Sequence, residues 1–155
     1  KGSVTVVPNR ATVELNVFSG GNAIGTEKFR VKKVPKPTIA IKSRGRAVDL
    51  KNGVSLAQFP RSLEADAVAE PSFAEFLPKD ARYKVFEWDV TLARGRRALG
   101  QKKVNGPNVN LTDLASKARA GDRLVIEIKE VKRLNFKSET ESVPGVNDIF
   151  TIPIN

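Results

Sequence analysis

The stretch RYKVFEWDVTLAR, residues 82–94, decides the fold class. Its apolar side chains recur at every second position, which is the period of a β-strand with one face in a core. The polar residues between them, Glu87 and Asp89 among them, are then expected to face solvent. The residues predicted for the core face are Phe86, Trp88, Val90 and Leu92.

Similar alternation recurs on both sides of this strand. The segments 38–43, 63–69, 122–134 and 148–155 carry apolar residues at every second position, and a turn at Gly95 favours a further strand near residues 97–104. Loops rich in glycine, proline or asparagine separate these segments. Only short helices fit between them, near residues 55–59 and 111–121, and residues 71–81 are predicted to be a loop. Without the long amphipathic helices of a parallel α/β protein, the pattern predicts a mainly antiparallel β-sandwich.

A rigid joint divides the chain near its start. Pro35 and Pro37 stand in FRVKKVPKPTIAI, residues 29–41, where each proline fixes its own backbone and favours an extended preceding residue. About three strands are predicted in residues 3–34, the first of them at Val4 and Val6. We therefore predict an incomplete β domain over residues 1–36 and a complete β-sandwich domain over residues 37–155. The joint is either a stiff mechanical coupling or an ordinary domain boundary.

The composition restricts the classes of function. The chain has no cysteine and no histidine, so it offers no thiolate nucleophile, no imidazole base and no usual set of zinc ligands. We predict no catalytic residue, no cofactor and no metal site. Its net charge of +10, from 27 Lys and Arg against 17 Asp and Glu, suits nucleic acid, an anionic membrane surface or an acidic protein.

Two segments are candidates for partner binding. The run ARGRRALGQKK concentrates cations on a predicted hairpin, which either docks on an acidic surface or protects a solvated strand edge. The loop SFAEFLP holds two aromatic residues that either anchor an interface or cap the open end of the sandwich. The candidate residues are Arg94, Arg96, Arg97, Lys102 and Lys103 in the hairpin, and Phe73 and Phe76 in the loop.

The order of these segments resembles the C-terminal region of the GldM/PorM family. The resemblance rests on FRVKKVPKP, the turn NGVSLAQF, the strand LEADAVA, the run YKVFEWDVTL and the late GDRLVIEIKEVK, and it extends over essentially the whole chain. Family members tend to have more glycine after the proline joint and a glycine-rich turn after the late strand. Here those positions hold RGRAVDLKNG and KRLNFKSETESVPG.

The resemblance implies a place in the bacterial type IX secretion and gliding-motility machinery. Family members are periplasmic, dimeric and elongated, and an N-terminal helix anchors them in the inner membrane beside a motor partner. Their distal end reaches a ring assembly associated with the outer membrane. The resemblance therefore implies that residues 1–36 end an immunoglobulin-like domain. It also implies that the chain is a structural module that binds the ring proteins, with its anchor upstream.

We expect the N-terminal strands to form a homodimer interface, by pairing or exchange, because about three strands are too few to close a sandwich. The main alternative is a basic nucleic-acid-binding β domain. The aromatic side chains that would stack on bases are few and mostly predicted to be buried, so neither nucleic acid nor a small-molecule substrate is the expected partner. The residues predicted for the dimer interface are Val13, Leu15, Val17, Phe29 and Val31.

Overall fold

A computed structural model describes residues 2–155, and the chain divides into two compact units. The first extends to Val34 and the second is Pro35–Asn155. The division after Val34 lies two residues before the domain boundary predicted after residue 36. Pro35 and Lys36 belong to the second unit because they form hydrogen bonds with its residues. Within residues 2–155, no helix is both long enough and apolar enough to cross a bilayer.

The first unit is a single antiparallel hairpin. Strands β1 (Thr12–Ser19) and β2 (Asn22–Arg30) are joined at Gly20 and Gly21, which both have positive φ. Glycine is the residue that adopts this conformation without steric cost. The prediction of a further strand at Val4 and Val6 is wrong, because residues 2–9 have no strand partner and both valines are exposed. Alternation of apolar and polar residues predicts a strand, but it does not show whether a neighbouring strand is present to pair with it.

The second unit is a β-sandwich, so the predicted mainly β fold is confirmed. Its strands are β3 (Thr38–Ser43), β4 (Arg46–Ala47), β5 (Ser62–Val68), β6 (Arg82–Arg94), β7 (Arg97–Asn105), β8 (Asn108–Asn110), β9 (Arg123–Leu134), β10 (Thr140–Ser142) and β11 (Ile149–Pro153). One sheet has the order β4-β3-β5-β8. The other has the order β10-β9-β6-β7, and β11 also pairs with β9. Apolar residues of both sheets form one core.

Strand β6 passes through the centre of that core. Trp88, Val90 and Leu92 are fully buried, as predicted, and the indole N–H of Trp88 donates to the carbonyl of Gly106 at 2.7 Å. Phe86 was expected beside them but is 43% exposed. The pairing of β6 with β9 shifts register between Val85 and Trp88, and such a bulge turns the preceding side chain to the other face. Phe86 instead lies under the ammonium group of Lys132.

Asp89 also departs from its prediction. It was expected in solvent but is only 7% exposed, because β6 is a central strand with long side chains on both neighbours. Gln101 on β7 donates to its Oδ2 at 3.1 Å, and Glu127 on β9 lies opposite it. Its Oδ1 has no hydrogen-bond partner among the described residues.

The helices are short. A 3-10 turn covers Leu56–Gln58, close to the prediction, whereas helix α2 covers only Thr112–Ala115 and ends well before the predicted end at Gly121. The predicted loop after residue 70 is partly wrong, because helix α1 covers Pro71–Phe76. Glu70 caps it by accepting from the backbone N–H groups of Ser72 and Phe73, and proline is well suited to the first helical position.

The last residues close the end of the sandwich near the 3-10 turn. Val54 forms a parallel bridge to Ile154, and the Leu56 N–H donates to the Asn155 carbonyl at 2.6 Å. Gly53 permits this approach. It has φ +77°, and a Cβ placed there would lie 2.1 Å from the carbonyl oxygen of Pro153.

Candidate interaction surfaces

The predicted basic hairpin is formed by β6 and β7. Gly95, with φ +57°, makes the turn, and Arg94 pairs with Arg97 across it. Arg96 and Arg97 are exposed at the tip, and neither forms a salt bridge with any residue from 2 to 155. Their charges are therefore open to an anionic partner.

Arg94 has a different environment from Arg96 and Arg97. Its guanidinium donates to both carboxylate oxygens of Asp122, with Nε 2.7 Å from Oδ1 and Nη2 2.9 Å from Oδ2. The Asp122 side chain is 1% exposed and also accepts from the Arg119 N–H at 2.8 Å. The hydrogen bond from Arg94 lowers the pKa of Asp122 below its ordinary range. Arg94 thus fastens the hairpin to the turn before β9.

The two lysines of the hairpin also differ. Lys102 Nζ lies 2.6 Å from Asp113 Oδ2 on helix α2, and this contact lowers the pKa of Asp113. Lys103 is exposed and forms no salt bridge with the described residues. Of the five predicted cations, Arg96, Arg97 and Lys103 form no salt bridge with any residue in the described range 2–155.

The hairpin tip lies far from the start of the second unit. Pro35 is fixed beside the first residues of β6, because the Tyr83 hydroxyl donates to its carbonyl at 2.7 Å. Lys36 donates to the Gly145 carbonyl at 3.1 Å, and Pro37 is buried. From Tyr83 to Arg94 the strand rises by roughly 36 Å, at about 3.3 Å per residue. The cationic tip and the proline joint are therefore at opposite ends of the sandwich.

The two candidate phenylalanines lie on helix α1 in different environments. The Phe73 ring is half-buried, with its centroid 6.5 Å from that of Tyr83. Phe76 is 77% exposed, and Leu77 beside it is also exposed. Phe73 thus packs at the end of the sandwich, whereas Phe76 is available for contact.

The predicted dimer residues share one face of the N-terminal hairpin. Val13 lies opposite Phe29, so the alternate residues on both strands point the same way. Leu15, Val17 and Phe29 are exposed, and Val13 and Val31 are half-buried. An isolated two-stranded hairpin is only marginally stable in water. Burial of this apolar face against another surface would therefore stabilise the hairpin.

The sequence of the second unit matches a family model over its whole length. The model for the GldM C-terminal domain covers residues 35–155, and its first matched residue is the proline that the Tyr83 hydroxyl holds. The chain belongs to this family. No curated protein and no solved structure matches the chain.

Membership in the GldM C-terminal domain family makes the chain a component of the type IX secretion and gliding machinery. The family domain is a structural part of that machinery and not a known enzyme. Residues 2–155 contain no cluster of three or more metal-ligating side chains.

Two contacts of the GldM-family domain were not predicted. Tyr83 was not connected with the proline joint, and Arg94 was grouped with cations that bind partners. The two contacts are Tyr83 with Pro35 and Arg94 with Asp122. Because each joins residues far apart in sequence, no local sequence pattern predicts it. For the contact of Tyr83 with Pro35, the one available sequence signal was that Tyr83 is the single tyrosine of the chain and stands at the start of the predicted strand 82–94.

Proposed function

We propose that the chain is the distal end of a dimeric periplasmic shaft in the type IX secretion and gliding machinery. The shaft links an inner-membrane motor, to which an upstream helix anchors it, to a ring complex associated with the outer membrane. The chain contributes binding and rigidity and performs no chemistry. Family membership supports the assignment to this machinery.

The position of the unpaired cations is the observation that carries the proposed contact with the ring. Arg96 and Arg97 project at the end of the sandwich remote from Pro35, where the chain enters the domain. A module at the tip of a shaft needs its binding groups at that far end. Cations there attract an acidic surface and increase its rate of association.

Charge reversal at the tip tests this contact. We expect Arg96→Glu with Arg97→Glu in the full-length protein to reduce recovery of the ring proteins on the order of tenfold after crosslinking in cells. Lys79→Glu with Lys137→Glu is the matched control, because both lysines are exposed and the net charge changes equally. Equal recovery of ring proteins with both double variants would contradict the proposed contact.

Dimerisation in this proposal occurs through the N-terminal hairpin. Its exposed face, with Leu15, Val17 and Phe29, supplies the apolar surface, and a second copy offers the same surface with two-fold symmetry. Light scattering should give a dimer for the whole chain at micromolar concentration and a monomer for a fragment comprising Pro35–Asn155. If both species have the same oligomeric state, the interface is not in the hairpin.

A further inference from the structure

The segment that leads into β9 brings further cations to the hairpin tip. Residues 117–123 of this segment read KARAGDR, and residues 94–97 of the tip read RGRR. Together the two segments contain six cations and one carboxylate, that of Asp122. The Asp122 side chain is 1% exposed and bonds to Arg94, so these two charges already match each other. The five cations that remain, here called the basic end surface, are Arg96, Arg97, Lys117, Arg119 and Arg123.

Side-chain hydrogen bonds hold the two segments against each other. Nη2 of Arg94 donates to the Lys117 carbonyl at 3.4 Å, and Nη2 of Arg123 donates to the Gly95 carbonyl at 2.7 Å. The bidentate pair of Arg94 with Asp122 joins the same two segments. All of these contacts form within the chain alone. A partner therefore meets cations whose backbones are already in place, and less ordering is needed on binding.

The side chains of the basic end surface are available to a partner. All five are exposed, and none forms a salt bridge with any residue from 2 to 155. Neighbouring cations repel one another, so a bound anion stabilises the group. Five cations spread over two segments suit a partner with several negative charges better than a single anion.

The composition of the two segments distinguishes between kinds of anionic partner. Stable attachment to an anionic membrane takes an inserted apolar group in addition to a basic patch, and the apolar residues here are only Ala118 and Ala120. Single-stranded nucleic acid stacks on aromatic side chains, and neither segment has one. Four of the five cations are arginines, whose planar guanidinium groups bind carboxylates through two parallel hydrogen bonds. These features favour a protein partner rich in Asp and Glu.

We propose that the basic end surface binds an acidic segment of a partner protein, and that Lys117, Arg119 and Arg123 belong to this site. The inference rests on the proposed function, in which Arg96 and Arg97 contact the ring. It extends their site across the neighbouring segment and assigns the partner's binding groups as several Asp and Glu side chains. Because the cations are exposed, salt should weaken this binding strongly.

A fluorescein-labelled decaglutamate peptide tests the site on the whole chain. Lys117→Gln with Arg119→Gln removes two charges and leaves Arg96 and Arg97 in place. We expect this double variant to bind the peptide about fivefold more weakly than wild type in fluorescence anisotropy, because two exposed charge pairs are lost. Both side chains are exposed and free of salt bridges, so the midpoint of thermal unfolding should stay at the wild-type value.

Lys79→Gln with Lys137→Gln is the matched control for the peptide titration. It removes the same charge from two exposed lysines outside the basic end surface, so the peptide should bind it within about twofold of the wild-type affinity. Equal weakening by the two double variants would show that the peptide responds only to net charge. That result would overturn the proposed site.

Vesicles of phosphatidylglycerol and phosphatidylcholine test the kind of partner. At about 0.15 M salt we expect the whole chain to bind the decaglutamate peptide and to stay in the supernatant when the vesicles are sedimented. Cosedimentation with the vesicles that Lys117→Gln with Arg119→Gln reduces would overturn the assignment of an acidic protein as the partner.

Crosslinking of the full-length protein in cells separates this inference from the proposed function. Recovery of the ring proteins should fall with Lys117→Gln plus Arg119→Gln, as it should with charge reversal at Arg96 and Arg97. A loss confined to the reversal at Arg96 and Arg97 would overturn the extension of the site and leave the proposed function intact. Undiminished recovery with both double variants would overturn the proposed contact with the ring as well.

Discussion

The Tyr83 hydroxyl donates a 2.7 Å hydrogen bond to the carbonyl of Pro35. Together with the contact of Lys36 with Gly145 and the burial of Pro37, it makes the proline joint part of the C-terminal domain. The rigid element therefore begins at Pro35.

Tyr83→Phe should loosen this attachment. The variant keeps the ring contact with Phe73 but loses one hydrogen bond, so we expect the free energy of unfolding to fall by about 0.5–1.5 kcal/mol. Nuclear relaxation of the Lys36 amide should show increased motion. An unchanged relaxation rate at Lys36 would mean that the prolines alone hold the joint.

Trp88→Ala should cost roughly 3–5 kcal/mol of unfolding free energy, because it removes the largest fully buried side chain of the core. Thr91→Ala, on the opposite face of β6, should cost well under about 1 kcal/mol. Chemical denaturation measures both variants. Similar losses at the two positions would contradict the observed orientation of the strand.

Gly53→Ala should destabilise the domain by about 2–5 kcal/mol, the sum of a left-handed backbone cost of about 1–2 kcal/mol and an overpacking cost of about 1–3 kcal/mol. Gly45→Ala is a close control. Gly45 has φ +74°, but a Cβ there meets no atom within 4 Å, so only the backbone cost applies. Thermal unfolding of both variants separates the two terms, and equal losses would exclude the clash with Pro153.

The pair formed by Arg94 and Asp122 should make stability depend on pH. Folding lowers the pKa of Asp122, so its stabilisation is fully present above the ordinary value of 3.8 and is lost as the pH falls through the lower folded-state value. Wild type should therefore exceed Asp122→Asn in unfolding free energy between about pH 5 and 7, and the difference should shrink below about pH 4.

Asp113→Asn is the control for this titration. Its pair with Lys102 is largely exposed, so the substitution should have a small effect that salt weakens further. Urea titrations of both variants across the pH range make the comparison. A difference between wild type and Asp122→Asn that stayed constant down to pH 3 would show that the carboxylate charge is not the cause.

Sequence periodicity predicted the strands because half-buried strands must alternate, and Trp88, Val90 and Leu92 follow that rule. It failed at Phe86, because a bulge changes the period of two over a few residues and leaves no mark in composition. It failed at Asp89, because burial on the outer face depends on the side chains of neighbouring strands. At the hairpin, counting cations located the basic tip but did not separate the paired Arg94 from the unpaired Arg96 and Arg97.

The anchored joint determines how tension would be carried through the domain. A pull on the chain ahead of Pro35 passes through Pro37 directly into β3 and runs along the axis of that strand. The bonds from β3 to β5 lie across this axis, because antiparallel ladders are perpendicular to their strands. These hydrogen bonds are therefore loaded together in shear and do not break one after another. Because Pro37 continues directly into β3, the hydrogen bonds between β3 and β5 share the load.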